Sequence, residues 1–156
     1  MERTLIILKP DSVQRGLAGR IISRFEDKGF QILGLKLKHI SRELAEEHYA
    51  VHKEKPFYPR LLEYITSSPV VVMVLEANNA IAVSRKMMGA TFGSNAEPGT
   101  IRGDFSLSNS FNLIHGSDSP EAAQTEIALY FQPGELLEYE RASQTWVYDM
   151  SGGDPE

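Results

Sequence analysis

The chain has 156 residues, of which 42% are hydrophobic and 24% are charged, and it carries a formal net charge of −5 with no cysteine. This length suits one domain that buries roughly 70% of its unfolded surface. The missing cysteines exclude disulfides and thiolate metal sites and fit a reducing, cytoplasmic compartment, while the acidic balance argues against a stable nucleic-acid partner. An anionic ligand must therefore be met by a local group of cations.

The ends of the chain suggest its domain organisation. The apolar run Leu5 to Leu8 is too short for a signal-peptide core or a membrane span, so we expect no membrane partner. Residues 1–150 contain no repeat or low-complexity linker, and 151–156 are small and polar. We expect one domain over 1–150 and a flexible tail over 151–156.

The first half of the chain predicts two strands, each followed by helical pattern. Thr4–Leu8 is a continuous apolar run, typical of a strand buried on both faces. Leu17–Lys28 has apolar residues at helical spacing, and Phe30–Ile40 alternates like a strand with one face solvated or near a sheet edge. A polar helix follows over about 41–51, and a second helix ends at the break after residue 66.

The second half repeats this alternation. Val70–Leu75 predicts another buried strand, and 78–88 predicts a helix. Ala90 to Ser110 has little regular pattern, and so long a loop in a compact domain is usually functional. A helix follows over Pro120–Tyr130, and 136–149 forms an extension. The order reduces to βαββαβ, which predicts an α+β fold with a four-stranded antiparallel sheet and helices on one face.

One stretch, Asn112 to Ser119, has the local structure that a nucleophile needs. A short apolar run ends in His115, Gly116 gives the backbone room to turn, and Ser119 can cap a helix that begins at Pro120. His115 is therefore expected between a strand and a helix, with its side chain directed at a ligand. The alternative is a polar strand-end histidine with ordinary hydrogen bonds.

Other residues could complete a phosphoryl-transfer site around His115. A histidine nucleophile needs a group that orients it and cations that neutralise the transferred group. Glu126 could return alongside the imidazole, although a helical glutamate is usually solvated surface. The candidates for the phosphate contacts are Lys9, Arg85, Arg102 and the hydroxyl of Thr91. Lys9 could equally be a strand-end lysine that extends its amine into water.

Several other site types are excluded or disfavoured by motif. No GxxxxGK[ST] is present, and Gly103-Asp104-Phe105 does not match the DFG of protein kinases, whose HRD motif is also absent. His48 and His52 lie four residues apart and could offer two metal ligands on one helix face. With no HExxH and no further Cys or His cluster nearby, we expect no metal site there.

The chain resembles nucleoside diphosphate kinases over nearly its whole length. The motifs that carry the resemblance are Leu8-Lys9-Pro10-Asp11, Arg85 with Thr91, Pro98-Gly99-Thr100-Ile101-Arg102-Gly103-Asp104-Phe105, and Asn112-x-x-His115-Gly116-Ser117-Asp118-Ser119 with Glu126. Each motif alone is weak or moderate, but the set in this order and spacing is highly specific. The resemblance implies a ferredoxin-like sandwich.

The resemblance also implies the activity. His115 would take the γ-phosphate of a nucleoside triphosphate, typically ATP, through Nδ1 and hand it to a nucleoside diphosphate in a reversible ping-pong exchange. Mg²⁺ would be the cofactor, held mainly by the nucleotide phosphates. Base specificity would be low, since a stacking ring accepts the π face of any base.

Roles for individual residues follow from the same resemblance. Glu126 would hold the imidazole with help from Ser117. The phosphates would be bound by Lys9, Tyr49, Arg85, Thr91 and Arg102. Asn112 and Lys9 would contact the sugar hydroxyls, and Phe57 would stack on the base with Leu61 beside it.

The C-terminal extension with Trp146 resembles that of the longer hexameric members, so a homo-hexamer is favoured over a tetramer. Three positions depart from the family pattern. Phe92 lies in a segment where many members carry Asn-Pro, Asn109 stands where a valine often lines the base site, and Phe111 stands where an arginine is common. These departures concern base contacts and loop dynamics.

Two further hypotheses remain open at this point. A ferredoxin-like RNA-binding domain has the same topology, but it would need aromatics on the central strands, which Thr4–Leu8 and Val70–Leu75 lack. An inactive relative could serve as a scaffold or nucleotide sensor. Every residue assigned to chemistry is present, which argues against that reading.

Overall fold

A computed structural model describes residues 1–156. Four strands form one antiparallel sheet in the order β2-β3-β1-β4. The strands are β1 (Glu2–Leu8), β2 (Gln31–Lys38), β3 (Val70–Ala77) and β4 (Ile114–Gly116). The helices are α1 (Pro10–Gln14), α2 (Ala18–Lys28), α3 (Arg42–His48), α4 (Tyr58–Thr66), α5 (Ala80–Met88), α6 (Ile101–Phe105), α7 (Pro120–Tyr130) and α8 (Gln144–Val147).

This architecture confirms the predicted α+β class with a four-stranded antiparallel sheet. The expectation of helices on one face was wrong, because both faces of the sheet are covered. Leu5 and Ile7 pack with residues of α3, α4 and α7, whereas Ile6 and Leu8 pack with residues of α2 and α5. The continuous apolar runs of β1 and β3 already required this, since a strand with one solvated face alternates.

Three short helices were missed by the sequence reasoning, and one of them, the four-residue α8, lies in the predicted C-terminal extension. The first, α1, begins at Pro10, which reads as a break after β1 but is well suited to the first position of a helix. The second, α6, lies inside the stretch predicted as irregular, and the Thr100 hydroxyl caps it by accepting from the Gly103 N–H at 3.0 Å. Both have five residues, too few for a periodic pattern.

The edge strand β2 carries exposed apolar side chains. Leu35 and Leu37 are 49% and 67% exposed, whereas Lys36 and Lys38 are half-buried. An irregularity between Ile32 and Gly34 shifts the register against β3. The prediction of a strand near an edge is confirmed, but its leucines are more exposed than its lysines.

Strand pairing and a capped helix position the candidate site. In the β1–β4 pair Ile7 lies opposite His115, so Lys9, just beyond β1, is close to the histidine strand. Ser119 caps α7 as predicted, because its hydroxyl accepts from the Ala122 N–H at 3.1 Å. The longest helices have 11 residues, and none combines the length and hydropathy needed to cross a membrane.

Candidate active site

The centre of the site is a hydrogen-bonded pair of side chains from β4 and α7. His115 Nε2 lies 2.5 Å from Glu126 Oε2. The His115 side chain is 21% exposed and that of Glu126 is 13% exposed. Glu126 is therefore not solvated surface, and the histidine keeps one side accessible to a ligand.

The charge of Glu126 decides which imidazole nitrogen is free. Burial raises the pKa of this carboxyl, but hydrogen bonding by His115 and Ser117 outweighs burial and holds the pKa below its ordinary value. An ionised carboxylate only accepts hydrogen bonds, so Nε2 of His115 carries the proton. The other nitrogen, Nδ1, then presents its lone pair. Ser117 is fully buried and accepts from the Leu5 N–H at 3.1 Å.

Two arginines hold the backbone on either side of His115. Arg102 donates to the Ile114 carbonyl at 2.7 Å, and Arg85 donates to the Gly116 carbonyl at 3.2 Å. Arg102 is buried and also donates to the carbonyls of Asn112 and Gly89. Neither arginine forms a salt bridge, so their charges are not neutralised within the protein.

Lys9 completes a cluster of cations, which we call the cation cluster and define as Lys9, Arg85 and Arg102. Burial and the neighbouring Arg102 lower the pKa of Lys9 to about 8, against a smaller opposing effect of Asp11. Burial and Arg85 lower the pKa of Arg102 to about 10. The positive groups therefore repel one another in a partly dry site, and a bound anion would relieve that repulsion.

The loop before β4 is held by a network that sequence reasoning noticed only in part. Asn112 accepts from Lys9 Nζ at 2.7 Å and donates to the Thr91 carbonyl at 2.9 Å. Leu113 has a φ of 71°, a conformation rare for a bulky residue. Asp11 stabilises it by accepting from the Leu113 N–H at 3.1 Å and from the Tyr64 hydroxyl. No sequence pattern marked Tyr64.

A chain of aromatic rings leads from the buried pair to the surface. The ring of Tyr49 is buried, 6.3 Å from that of His52, which is 5.5 Å from that of Phe57. Phe57 is 50% exposed at the start of α4, and Leu61 is half-buried one turn further along. The structure thus places the predicted base-stacking ring at the surface.

The side chains that could ligate a metal are not the pair of His48 and His52 considered from the sequence. His48 gathers with His115 and Glu126, with ligand atoms within 4.8 Å of one another, and His52 is not part of this group. In the cation cluster no carboxylate is free, because Asp11 is engaged by Leu113 and Tyr64. These residues fit a divalent ion only when a phosphate supplies the oxygen ligands that such ions prefer.

The three departures from the family pattern lie in the stretch between α5 and β4. Asn109 accepts from the Ser94 hydroxyl at 2.7 Å. The ring of Phe111 is 55% exposed and 4.9 Å from that of Tyr64, and Phe92 is 51% exposed. None of them contacts the pair formed by His115 and Glu126 through a hydrogen bond.

The fold and the site together define an α+β protein with a histidine–carboxylate pair beside unneutralised cations, as phosphoryl-transfer chemistry requires. The family model described as nucleoside diphosphate kinase matches residues 2–136. The chain belongs to the nucleoside diphosphate kinase family. Its activity is that of a phosphotransferase that exchanges the terminal phosphate between nucleoside triphosphates and diphosphates.

Individual relatives agree with this assignment. The nucleoside diphosphate kinase of Thermosynechococcus vestitus is 59% identical over 150 residues, which cover 96% of this chain and 100% of the relative. That of Carboxydothermus hydrogenoformans is 60% identical over 149 residues, with the same coverage. A halophilic nucleoside diphosphate kinase from Halobacterium salinarum, solved in complex with CDP, has a TM-score of 0.93 at 49% identity and covers 95% of this chain and 99% of its own. The chain is therefore not a ferredoxin-like RNA-binding domain, which was the alternative hypothesis with the same topology.

Proposed function

We propose that the reaction runs through a phosphohistidine on His115, in a ping-pong exchange between a nucleoside triphosphate, typically ATP, and a nucleoside diphosphate. The observation that carries the proposal is the 2.5 Å contact from His115 Nε2 to Glu126, which leaves Nδ1 as the nucleophilic nitrogen. Low base specificity is part of the proposal, because the base would meet only an exposed ring.

In the first half-reaction the lone pair of His115 Nδ1 attacks the γ-phosphorus. A P–N bond forms as the P–O bond to the β-phosphate breaks, and the nucleoside diphosphate leaves with that electron pair on its oxygen. The imidazole gains positive character while Glu126 continues to accept its Nε2 proton. Ionised Glu126 stabilises this charge without moving a proton.

The second half-reaction reverses these steps with a different nucleotide. A terminal phosphate oxygen of the incoming diphosphate attacks the phosphorus, and the electron pair of the P–N bond returns to Nδ1. A phosphorus–nitrogen bond to imidazole is about as labile as a phosphoanhydride. The exchange is therefore freely reversible.

The phosphate groups are bound by the cation cluster, the hydroxyl of Thr91 and the hydroxyl of Tyr49. The charge on the transferred group is spread over its oxygens, and fixed positive groups lower the energy of that state. Arg85 and Arg102 are rigid because each is hydrogen-bonded to backbone carbonyls next to His115. Because their guanidinium groups are already held in place, the two arginines need not change conformation when a phosphate binds.

Mg²⁺ is the proposed cofactor. It would neutralise phosphate charge and would be held mainly by nucleotide oxygens, since the cation cluster offers no free carboxylate. The protein contributes the surrounding positive side chains and the imidazole.

The nucleoside part of the ligand is recognised loosely. Phe57 stacks on the base with Leu61 beside it, while Asn112 and Lys9 contact the sugar hydroxyls. The hydrogen bond of 2.7 Å between Lys9 and Asn112 supports a shared contact, because it fixes both polar groups in one place. The CDP complex of the Halobacterium salinarum relative supports a nucleoside diphosphate as ligand.

Assembly and location complete the proposal. One domain over residues 1–150, with a flexible tail at 151–156, forms a homo-hexamer, with a tetramer as the alternative. Exposed apolar side chains support self-association, since Trp146 is 91% exposed and Leu107 is 94% exposed in the single chain. A cytoplasmic location is consistent with the absence of cysteine.

The test is to incubate the protein with ATP labelled at the γ-phosphate and Mg²⁺. The wild-type chain should acquire acid-labile, alkali-stable phosphate that maps to residue 115, and His115→Ala should acquire none while keeping its fold by circular dichroism. Transfer of label to an added nucleoside diphosphate then completes the cycle. A wild-type chain that takes up no label would be the inactive scaffold instead.

A further inference from the structure

A second histidine, His48, lies beside the catalytic pair without a role in the mechanism above. It is the last residue of α3, and its side chain is 1% exposed. Its Nε2 is 3.4 Å from Oε2 of Glu126, the same oxygen that accepts from His115. Its ring centroid is 4.7 Å from that of His115, with the two rings inclined by 75°.

The surroundings of His48 keep it uncharged. Burial lowers its pKa to about 3, and the neighbouring His115 adds to that effect, while Glu126 opposes it only in part. A neutral imidazole has one N–H and one lone pair. Because a lone pair beside an ionised carboxylate would be repelled, the proton is assigned to Nε2, whose 3.4 Å contact with Oε2 is longer than an ordinary N–H···O hydrogen bond.

The other nitrogen of the His48 ring, Nδ1, agrees with a proton on Nε2. Nδ1 of His48 is buried and has no hydrogen-bond partner, and the Glu126 oxygen Oε1 is also without one. A lone acceptor is less costly to leave unpaired than an N–H, since buried carbonyl-type acceptors are found unsatisfied more often than donors. The ring nitrogens of His48 and His115 thus converge on one oxygen of the carboxylate, Oε2.

We propose that His48 is a positioning residue that steadies Glu126 Oε2 by presenting an N–H to it, and thereby fixes the imidazole of His115 for attack. The proposal rests on the proposed function, because it assumes that His115 carries the phosphate. His48 touches neither nucleotide nor phosphate in this scheme. It acts through the carboxylate, so it should affect the rate of phosphoryl transfer and not the binding of nucleotide.

The experiment compares two substitutions at one position. His48→Phe keeps a ring but removes the N–H, whereas His48→Gln keeps an N–H that can reach the place of Nε2. In single-turnover phosphorylation by ATP with Mg²⁺, His48→Phe should be slower by about tenfold, in the range of supports that act through a ligand or catalytic group. His48→Gln should recover most of the wild-type rate. The dissociation constant for ADP should be unchanged in both.

His39→Gln is the matched control, since His39 is exposed and its side-chain hydrogen bond is to the Thr66 carbonyl at 2.9 Å. It should phosphorylate at the wild-type rate. Equal rates for wild type and His48→Phe, or equal losses in His48→Phe and His48→Gln, would overturn the role of the N–H. A wild-type chain without phosphohistidine would instead overturn the proposed function.

A measurement on the unmodified chain does not depend on how the variants fold. The ring ¹⁵N spectrum of wild-type protein labelled at histidine should show His48 neutral at pH 7 with its proton on Nε2. A proton on Nδ1, or a charged ring, would contradict the proposal.

Discussion

The orientation of His115 depends on one carboxylate. Glu126 is ionised although burial alone would raise the pKa of its carboxyl, because hydrogen bonds from His115 and Ser117 stabilise the charge. A side chain 11 residues further along the chain thus selects the tautomer of the proposed nucleophile, His115.

Replacing this carboxylate should slow transfer without weakening binding. Glu126→Ala should lower the rate of phosphoenzyme formation by about 10- to 100-fold, because the imidazole loses the group that fixes its tautomer. Glu126→Gln should also be slow, since a neutral amide cannot stabilise the positive character that develops on the ring. Rapid-quench measurement with labelled ATP checks both, and a wild-type rate in Glu126→Ala would mean that the contact has no catalytic effect.

Lys9 should give the free enzyme an alkaline limit. Its pKa of about 8 means that it loses its charge above that pH, so kcat/KM should fall as pH rises through about 8 to 9. A bound phosphate raises the pKa of Lys9, so the fall in kcat should occur at higher pH than the fall in kcat/KM. Lys9→Met should have a low kcat/KM that does not fall further as the pH rises above 8. A wild-type profile that stays flat to pH 10 would contradict the assignment.

The lowered pKa of Lys9 also affects the stability of the nucleotide-free protein, which should rise with pH where kcat/KM falls. Between pH 8 and 10.5 the unfolded chain binds more protons at Lys9 than the folded chain does. The contribution of Lys9 to the free energy of unfolding therefore rises with pH through this window. The strain of a buried cation is thus part of what makes the site receptive to an anion.

At the scale of elements, the short helix α6 has a function that its length does not suggest. It carries Arg102 into the site, and its N-terminal turn is closed by the Thr100 cap. A Cβ at Gly103 would overlap the Glu97 carbonyl and the Thr100 hydroxyl. The glycine is therefore required by close packing and not by an unusual φ.

Gly103→Ala should displace α6 and with it Arg102. We expect a loss of about 1–3 kcal/mol in the free energy of unfolding, as for other overpacked sites, together with weaker nucleotide binding. Gly19→Ala, in α2, is the control, because nothing lies within 4 Å of the added Cβ and alanine is favoured in helices. Urea unfolding and ADP titration distinguish the two. Equal stability of Gly103→Ala and wild type would show that the loop before α6 yields freely.

At the scale of the whole molecule, the single chain exposes several large apolar side chains. Leu35 and Leu37 on the edge strand, Leu107 in the loop after α6 and Trp146 in α8 are all at the surface. An open strand edge with apolar side chains invites pairing with another chain. These features support the proposed homo-oligomer.

Trp146 should report on that assembly because it is the single tryptophan. In the proposed hexamer its fluorescence should be blue-shifted relative to a dissociated chain, whose Trp146 is 91% exposed. Light scattering should give six chain masses, and mild urea that lowers this mass should shift the emission to longer wavelength. A mass of four chains would favour the tetramer, and a monomer at micromolar concentration would reject the assembly.

The amino-acid sequence alone was sufficient for the fold class, the family resemblance and the identities of the proposed site residues, because apolar periodicity and motif spacing are local properties of the chain. The continuous apolar runs of β1 and β3 indicated two covered faces, although helices were predicted on one face only. The sequence could not supply α1 or α6, since five-residue helices leave no periodic pattern. It also treated His48 only as a possible partner of His52.

Only the tertiary structure decided that His48 lies against Glu126, that Arg102 lowers the pKa of Lys9 and that Arg85 lowers the pKa of Arg102. Packing of α3 and α7 against the sheet brings His48, Glu126 and His115 together, although they are up to 78 and at least 11 positions apart in the chain. Distances between such residues are set by how the helices and the sheet fit together in three dimensions, which no spacing along the chain encodes.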